Sequence, residues 1–155
     1  MKIIFCLPGA SYSGRFLQCW TNLLGELPQH KISYGLSQDY LCNIYHARTK
    51  CLGTSIERGL DQKPFNGKVD YDYIMWIDSD MVFKPEDFFK LLEHDKDIVS
   101  GMYKMSDDVN YATVETMDEE FFFIFNIFIL HELVVHPFFK IFFIHVFHSC
   151  IIYVV

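Results

Sequence analysis

Hydrophobic and polar positions along this chain fall into short apolar runs separated by longer stripes with helical spacing. Ile3 to Leu7 is an apolar run of strand length, followed by the small-residue turn Pro8-Gly9-Ala10-Ser11-Tyr12-Ser13-Gly14. From about Arg15 to Leu27, Phe16, Trp20, Leu23, Leu24 and Leu27 share one face of an amphipathic helix, with Ser13 or Ser11 placed to cap its start. Lys31 to Leu36 predicts a second strand. Tyr40 to Cys51 predicts a second helix, capped by Asp39 and facing the core through Leu41, Ile44, Tyr45 and Leu52. Arg48 lies on the same stripe. A guanidinium there is either a clamp for phosphate or carboxylate or a solvated rim residue whose stem packs on apolar neighbours. Gly53 to Lys68, with Pro64 and Asn66, predicts a loop holding at most a short helical piece.

The stretch Tyr71 to Gly101 organises the rest. Ile74-Met75-Trp76-Ile77 has the length and residue types of a strand buried on both faces, and it ends abruptly at Asp78-Ser79-Asp80. In extended backbone, residues two apart point the same way, so Asp78 and Asp80 are expected to share a face that suits a hard divalent cation. Pro85 fits a first helical turn, Glu86 and Asp87 complement the helix dipole, and Phe88, Leu91 and Leu92 form its apolar face. Asp97 to Gly101 then predicts a returning strand, which makes one right-handed crossover unit. In open sheets of this kind ligands bind beyond the C-terminal strand ends, where the DSD lies. Past Gly101, Met102 to Met105 extends that strand, Ser106 to Asn110 is a turn, and Tyr111 to Val114 is a short strand. Glu115, Asp118, Glu119 and Glu120 make a solvated acidic segment.

Composition divides the chain in two. Residues 1 to 120 read as an ordinary soluble protein, whereas residues 121 to 155 hold ten of the sixteen phenylalanines and, apart from histidines, only Glu132 and Lys140 as charged residues. That tail has neither strand nor helix periodicity, and polar positions interrupt it too often for a transmembrane helix. It is read as a non-native continuation, of the kind produced by translating an A+T-rich stretch in the wrong frame, or as a membrane or partner contact, the membrane role being the less favoured. His131, His136, His145 and His148 in it lack a metal-ligand spacing. A net charge of -7 argues against a nucleic-acid partner. The five cysteines, Cys6, Cys19, Cys42, Cys51 and Cys150, form no CxxC pair and fit reduced, mostly buried thiols of a cytoplasmic protein. The apolar run at the N-terminus is too short for a signal peptide.

The segment MWIDSDMVF, with the helix after it and IVSGMY beyond, resembles the donor-binding half of a GT-A glycosyltransferase, particularly the small family-2-like enzymes of viruses and bacteria. The resemblance covers residues 1 to 120, with its specific part at Tyr71 to Tyr103. It implies a Rossmann-like α/β sandwich with a mostly parallel sheet, incomplete at the C-terminus, and a metal-dependent transfer of sugar from a nucleotide-diphosphate donor to an acceptor. Asp78 and Asp80 are then the ligands of Mn2+ or Mg2+, with Asp80 the better ligand and Asp78 reaching ribose, or the metal through water. Leu7, Pro8, Gly9, Arg48, Asp78 and Ser79 would line the donor. The acceptor half, where the family carries its general base, is replaced by the tail, so no catalytic base is assigned. Two alternatives stand beside this. The sequence Asp78-Ser79-Asp80-Met81-Val82 also satisfies the DxDxV pattern of a haloacid-dehalogenase-like phosphatase, with Asp78 as nucleophile, although Asp107-Asp108 comes too soon for that family's later acidic pair. The other alternative is an inactive donor-binding remnant whose tail makes a membrane or partner contact.

Overall fold

A computed structural model describes residues 1–55, 63–101 and 151–154 of the chain. Strand β1 (Lys2–Pro8) leads to helix α1 (Gly14–Glu26) and a 3-10 turn (Leu27–His30). Strand β2 (Ser33–Asp39) and helix α2 (Ile44–Cys51) follow, then a short 3-10 turn (Pro64–Gly67). Strand β3 (Tyr73–Trp76), helix α3 (Pro85–Glu93) and strand β4 (Ile98–Ser100) come next, and β5 (Ile151–Val154) completes the described chain. The sheet order is β2-β1-β3-β5-β4.

The centre of the molecule is a small open sheet of three parallel strands. Lys2 pairs with Ser33 through to Pro8 with Asp39 on one side of β1, and Ile3 with Tyr73 through to Cys6 with Trp76 on the other. The start of β3 is pinned to β1 twice: the Lys2 N–H donates to the Asp72 carboxylate at 2.7 Å, and the Asp72 N–H donates to the Lys2 carbonyl at 2.8 Å. This arrangement is α/β and compatible with a Rossmann-like fold.

Strand alternation distributes the core onto both sheet faces. Ile3, Phe5, Leu7, Met75 and Ile77 point to one side, where they meet Phe16, Leu23 and Leu27 of the α1 region and Phe88 of α3. Phe5 is its aromatic hub, edge-on to Trp20 at 4.9 Å between centroids and tilted against Phe88 at 5.6 Å. Ile4, Cys6, Ile74 and Trp76 point to the other side and meet Cys51 and Leu52 at the end of α2. The sheet is thus covered by α1 and α3 on one face and by α2 on the other, and β1 and β3, apolar on both faces, are the continuous hydrophobic runs that this placement demands.

Several local expectations hold. Ser13 caps α1 by accepting from the Phe16 N–H at 3.0 Å. Pro85 opens α3, Phe88 is buried, and Leu91 and Leu92 pack on the same cluster. Asp87 reaches back to accept from the Lys84 N–H at 3.0 Å.

Three do not. The second helix begins at Ile44 rather than Tyr40, with Asn43 as its cap, accepting from the Tyr45 N–H at 2.9 Å. Asp39 instead ends β2, and its carboxylate accepts from the Tyr40 N–H at 2.7 Å, a local turn that competes with helix initiation. The buried residues of α2 are Ala47, Arg48 and Cys51, while Ile44 and Tyr45 are exposed. Finally, β4 is not the direct neighbour of β3. Strand β5, from within the Phe-rich tail, lies between them and pairs antiparallel with both, Ile74 opposite Tyr153 and Val99 opposite Ile152. The crossover through α3 therefore spans a gap one strand wide. The predicted strand extension at Met102 to Met105, the turn at Ser106 to Asn110, the short strand at Tyr111 to Val114, the acidic segment and the tail histidines lie outside the described residues. Among the described residues, no helix is long and apolar enough to cross a membrane.

Candidate functional site

The three parallel strands end on the same edge of the sheet, and the candidate residues converge there. After β1, the turn at Leu7, Pro8 and Gly9 is braced from two directions. The Tyr12 hydroxyl donates to the Leu7 carbonyl at 2.7 Å, and the Gln38 side-chain amide donates to the Gly9 carbonyl. The Gly9 N–H donates to the Asp39 carbonyl at 3.0 Å, joining the ends of β1 and β2. The end of β3 is joined to β1 by the Ile77 N–H, which donates to the Cys6 carbonyl at 3.2 Å.

Gly9 and Ser79 touch across this edge. A Cβ on Gly9 would sit 2.6 Å from the Ser79 Cβ and 2.9 Å from its Oγ, so only glycine allows the first turn to lie against the DSD.

Ser79 and Asp80 lie in a turn, not in the extended backbone that the shared-face argument required. The strand stops at Trp76, and the Met81 N–H donates to the Asp78 carbonyl at 3.2 Å, which closes a turn over the three residues. The turn separates the two carboxylates by environment: Asp80 is exposed, whereas the Asp78 side chain is only 14% exposed. Asp78 is held by Arg48, whose Nη2 donates to both carboxylate oxygens at 3.2 Å. Arg48 is 4% exposed overall, which excludes the solvated rim and leaves the carboxylate clamp. The Trp76 ring flanks it, with the guanidinium carbon 6.0 Å from the ring centroid. Placement in the last turn of α2 also favours a cation there, through the helix dipole. Among the described residues, buried Arg48 Nε has no hydrogen-bond partner.

Leu7, Pro8, Gly9, Arg48, Asp78 and Ser79 are thus brought together, and Asp80 stands on the same turn. Sequence inspection missed the braces Tyr12 and Gln38, and it assigned Asp39 to a helix cap rather than to this edge. The signal for Asp39 and Gln38 was available in principle, since both stand at the C-terminal end of a predicted parallel strand.

Two thiols underlie the site. Burial pushes the Cys51 thiol up to about 11 from its ordinary 9.0, partly offset by a hydrogen bond with the Asp39 backbone. Burial raises Cys6 well above the ordinary range too, and nearby Cys51 adds to it. Both thiols hold their protons more tightly in the folded chain than in the unfolded one. The contribution of Cys51 to stability is therefore complete below about pH 9 and is lost as pH rises through about 11. Denaturant titrations from pH 8 to 11 should show stability falling over that window, and Cys51→Ala should flatten the fall; a slope unchanged by the substitution would contradict this assignment.

An open cleft of about 630 Å3 between α1 and the start of α3 is lined by Thr21, Asn22, Glu26, Lys84 and Glu86 among others. It contains none of the strand-edge residues, and its opposed charges suit a solvated groove. Among the described residues, no group of three or more His, Cys, Asp or Glu side chains is arranged to hold a metal unaided. No protein-family model matches the chain, and no curated protein or solved structure is similar enough to count as a match.

Proposed function

We propose that the strand edge binds the diphosphate of a nucleotide sugar and that the chain is the donor-binding part of a GT-A type glycosyltransferase. The observation that carries this is the convergence of the Leu7-Pro8-Gly9 turn, the end of β2 and the DSD turn around a buried arginine. A diphosphate needs close backbone approach, cationic donors and a place for a divalent ion. Gly9 brings the backbone of the first turn directly against the DSD turn, since any side chain there would collide with Ser79. Arg48 supplies a planar guanidinium with a spare donor.

The donor set fits Mg2+ or Mn2+. It consists of two hard carboxylate oxygens on one turn, Asp80 exposed and Asp78 part-buried, and such ions are held by one or two carboxylates with phosphate oxygens and water completing the shell. When bound, the ion neutralises charge that develops on the departing diphosphate. In this division Asp80 would be the direct ligand, and Asp78, oriented by Arg48, would reach ribose, or the ion through water. Tyr12 and Gln38 hold the Leu7 and Gly9 carbonyls, respectively, and so fix the conformation of that turn.

The arrangement argues against the phosphatase alternative. A nucleophilic Asp78 must present a free oxygen to phosphorus, and here Arg48 engages both. Thermal unfolding with UDP, GDP and their sugars, each with Mn2+ and with EDTA, tests the proposal. A nucleotide-dependent rise in Tm that requires Mn2+ supports it, whereas no rise with any of them, or phosphorylation of Asp78 by an acyl- or aryl-phosphate, overturns it.

A further inference from the structure

We propose that strand β2 is a dimer interface, pairing antiparallel with β2 of a second copy of this chain about a twofold axis at Gly35. The proposal stands independently of the donor site. Among the described residues, β2 is the last strand on its side of the sheet. It pairs with β1 without interruption from Ser33 to Asp39, so no bulge bends it away from a neighbour. From Ser33 to Gln38 it also lacks lysine, proline and any other charged residue, the devices that keep an exposed edge from pairing. Two hydrogen bonds on the β1 side fix the direction of its backbone groups: the Ser33 N–H donates to the Met1 carbonyl, and the Asp39 carbonyl accepts from the Gly9 N–H. Backbone groups alternate along a strand. Ser33, Gly35, Ser37 and Asp39 therefore turn theirs toward β1, and Tyr34, Leu36 and Gln38 turn theirs outward.

The side chains decide which occupant fits. Two β2 strands crossing antiparallel at Gly35 set Tyr34 of each copy opposite Leu36 of the other, and the outward groups of these residues then form the hydrogen-bonded pairs. Tyr34 and Leu36 are 46% and 56% exposed and lie in register with Ile3 and Phe5, on the sheet face that carries α1. Tyr34 stands edge-on to Trp20 at 6.5 Å, and Leu17, one turn earlier on α1, is 51% exposed, so apolar surface continues from the strand onto the helix. Serine 33 faces serine 37, and at the axis glycine meets glycine with no side chain between them. The same register places Lys31 opposite Asp39 of the second copy, once at each end of the ladder. A slip of two residues loses both the Tyr34 with Leu36 and the Lys31 with Asp39 matches. It is this complementarity of the strand to itself, in shape and in charge, that names a second copy as the occupant. Because the strands run antiparallel, the two candidate sites lie at opposite ends of the pair.

Sedimentation equilibrium of the full chain tests the interface, at about 0.15 M salt, where the net charge of -7 on each copy is screened beyond about 8 Å. A reversible dimer is expected. Leu36→Lys, at an exposed position, should raise its dissociation constant about tenfold or more by setting two ammonium groups diagonally across the axis. Lys31→Glu should raise it about fivefold by placing like charges opposite each other at both ends. A parent chain that stays monomeric at millimolar concentration overturns the proposal. A dimer indifferent to Leu36→Lys places the interface elsewhere, and one indifferent to Lys31→Glu overturns the axis at Gly35.

Amide hydrogen exchange reads the same interface without a variant. The Tyr34 and Leu36 N–H groups should exchange fast in dilute solution and become protected as concentration rises, whereas those of Gly35 and Ser37, directed at β1, should be protected throughout. Protection of Tyr34 and Leu36 that is independent of concentration would show that another part of the same chain covers the edge, and would sink the proposal. So would a dimer in which these two amides still exchange fast.

Discussion

Asp80→Ala should remove Mn2+-dependent binding of UDP and GDP while leaving the fold intact. Asp80 is exposed on a turn closed by backbone, Met81 N–H to Asp78 carbonyl, so its side chain contributes little to stability. Exposed substitutions of this kind stay within about 0.5 kcal/mol. The expected effect on the ligand is much larger. Loss of groups that merely orient a metal ligand costs about 10–100-fold in metal affinity, so loss of the direct carboxylate should cost at least that much. Titration calorimetry with Mn2+ present checks the result. Affinity within threefold of the parent chain would remove Asp80 as the ligand. Asp80→Asn should behave like alanine, because the charge rather than the shape is needed.

Gly9→Ala should damage both stability and binding, and the second change Ser79→Gly should repair the first. The new Cβ would lie 2.6 Å from the Ser79 Cβ, which is anchored next to backbone and cannot swing away as a long side chain would. Neither partner is free to retreat. Gly9 is held by its N–H on the Asp39 carbonyl, and the β3 end by the Ile77 N–H on the Cys6 carbonyl. Overpacking against fixed neighbours typically costs about 1–3 kcal/mol, and denaturant unfolding should register a loss in that range. In Gly9→Ala/Ser79→Gly the clashing atom is gone, so most of the loss should return, a coupling between two positions seventy residues apart in sequence. Equal losses in the single and double variants would show that the two turns do not touch as described.

These two residues also show what the chain revealed before its structure was known. Strand β1, strand β3 and helix α3 were legible because each carries a strong local signal: uninterrupted apolar runs, and Pro85 followed by two acids. The start of α2 was not. Asp39 and Asn43 are equally good caps by type, and only the folded chain decides that Asp39 ends a strand and turns onto the Tyr40 N–H. The buried face of α2 was misassigned for a related reason. An eight-residue helix that buries an alanine, an arginine and a cysteine has no apolar stripe to read, while Ile44 and Tyr45 supply a misleading one on the exposed side.

The candidate site was legible as a set of residues and not as a geometry. The DSD stood out, and the prediction that it closes a parallel strand holds. Its expected extended conformation does not hold, because a backbone turn at Asp78 to Met81 competes successfully with continuation of the strand. Arg48 was left between two roles because its partner is thirty residues away, and long-range pairs leave no periodic trace. The placement of β5 between β3 and β4 is of the same kind: the strand that fills the gap comes from about fifty residues later than β4.

The central claim is that the C-terminal edge of β1, β2 and β3 holds a nucleoside diphosphate through a divalent cation on the DSD turn. Its most direct test is a crystal of the chain grown with UDP or GDP and Mn2+, examined by anomalous scattering at the manganese edge. The account predicts one manganese peak beside Asp80 and the diphosphate, at the C-terminal ends of β1 and β3. Manganese or nucleotide bound elsewhere on the chain would contradict it.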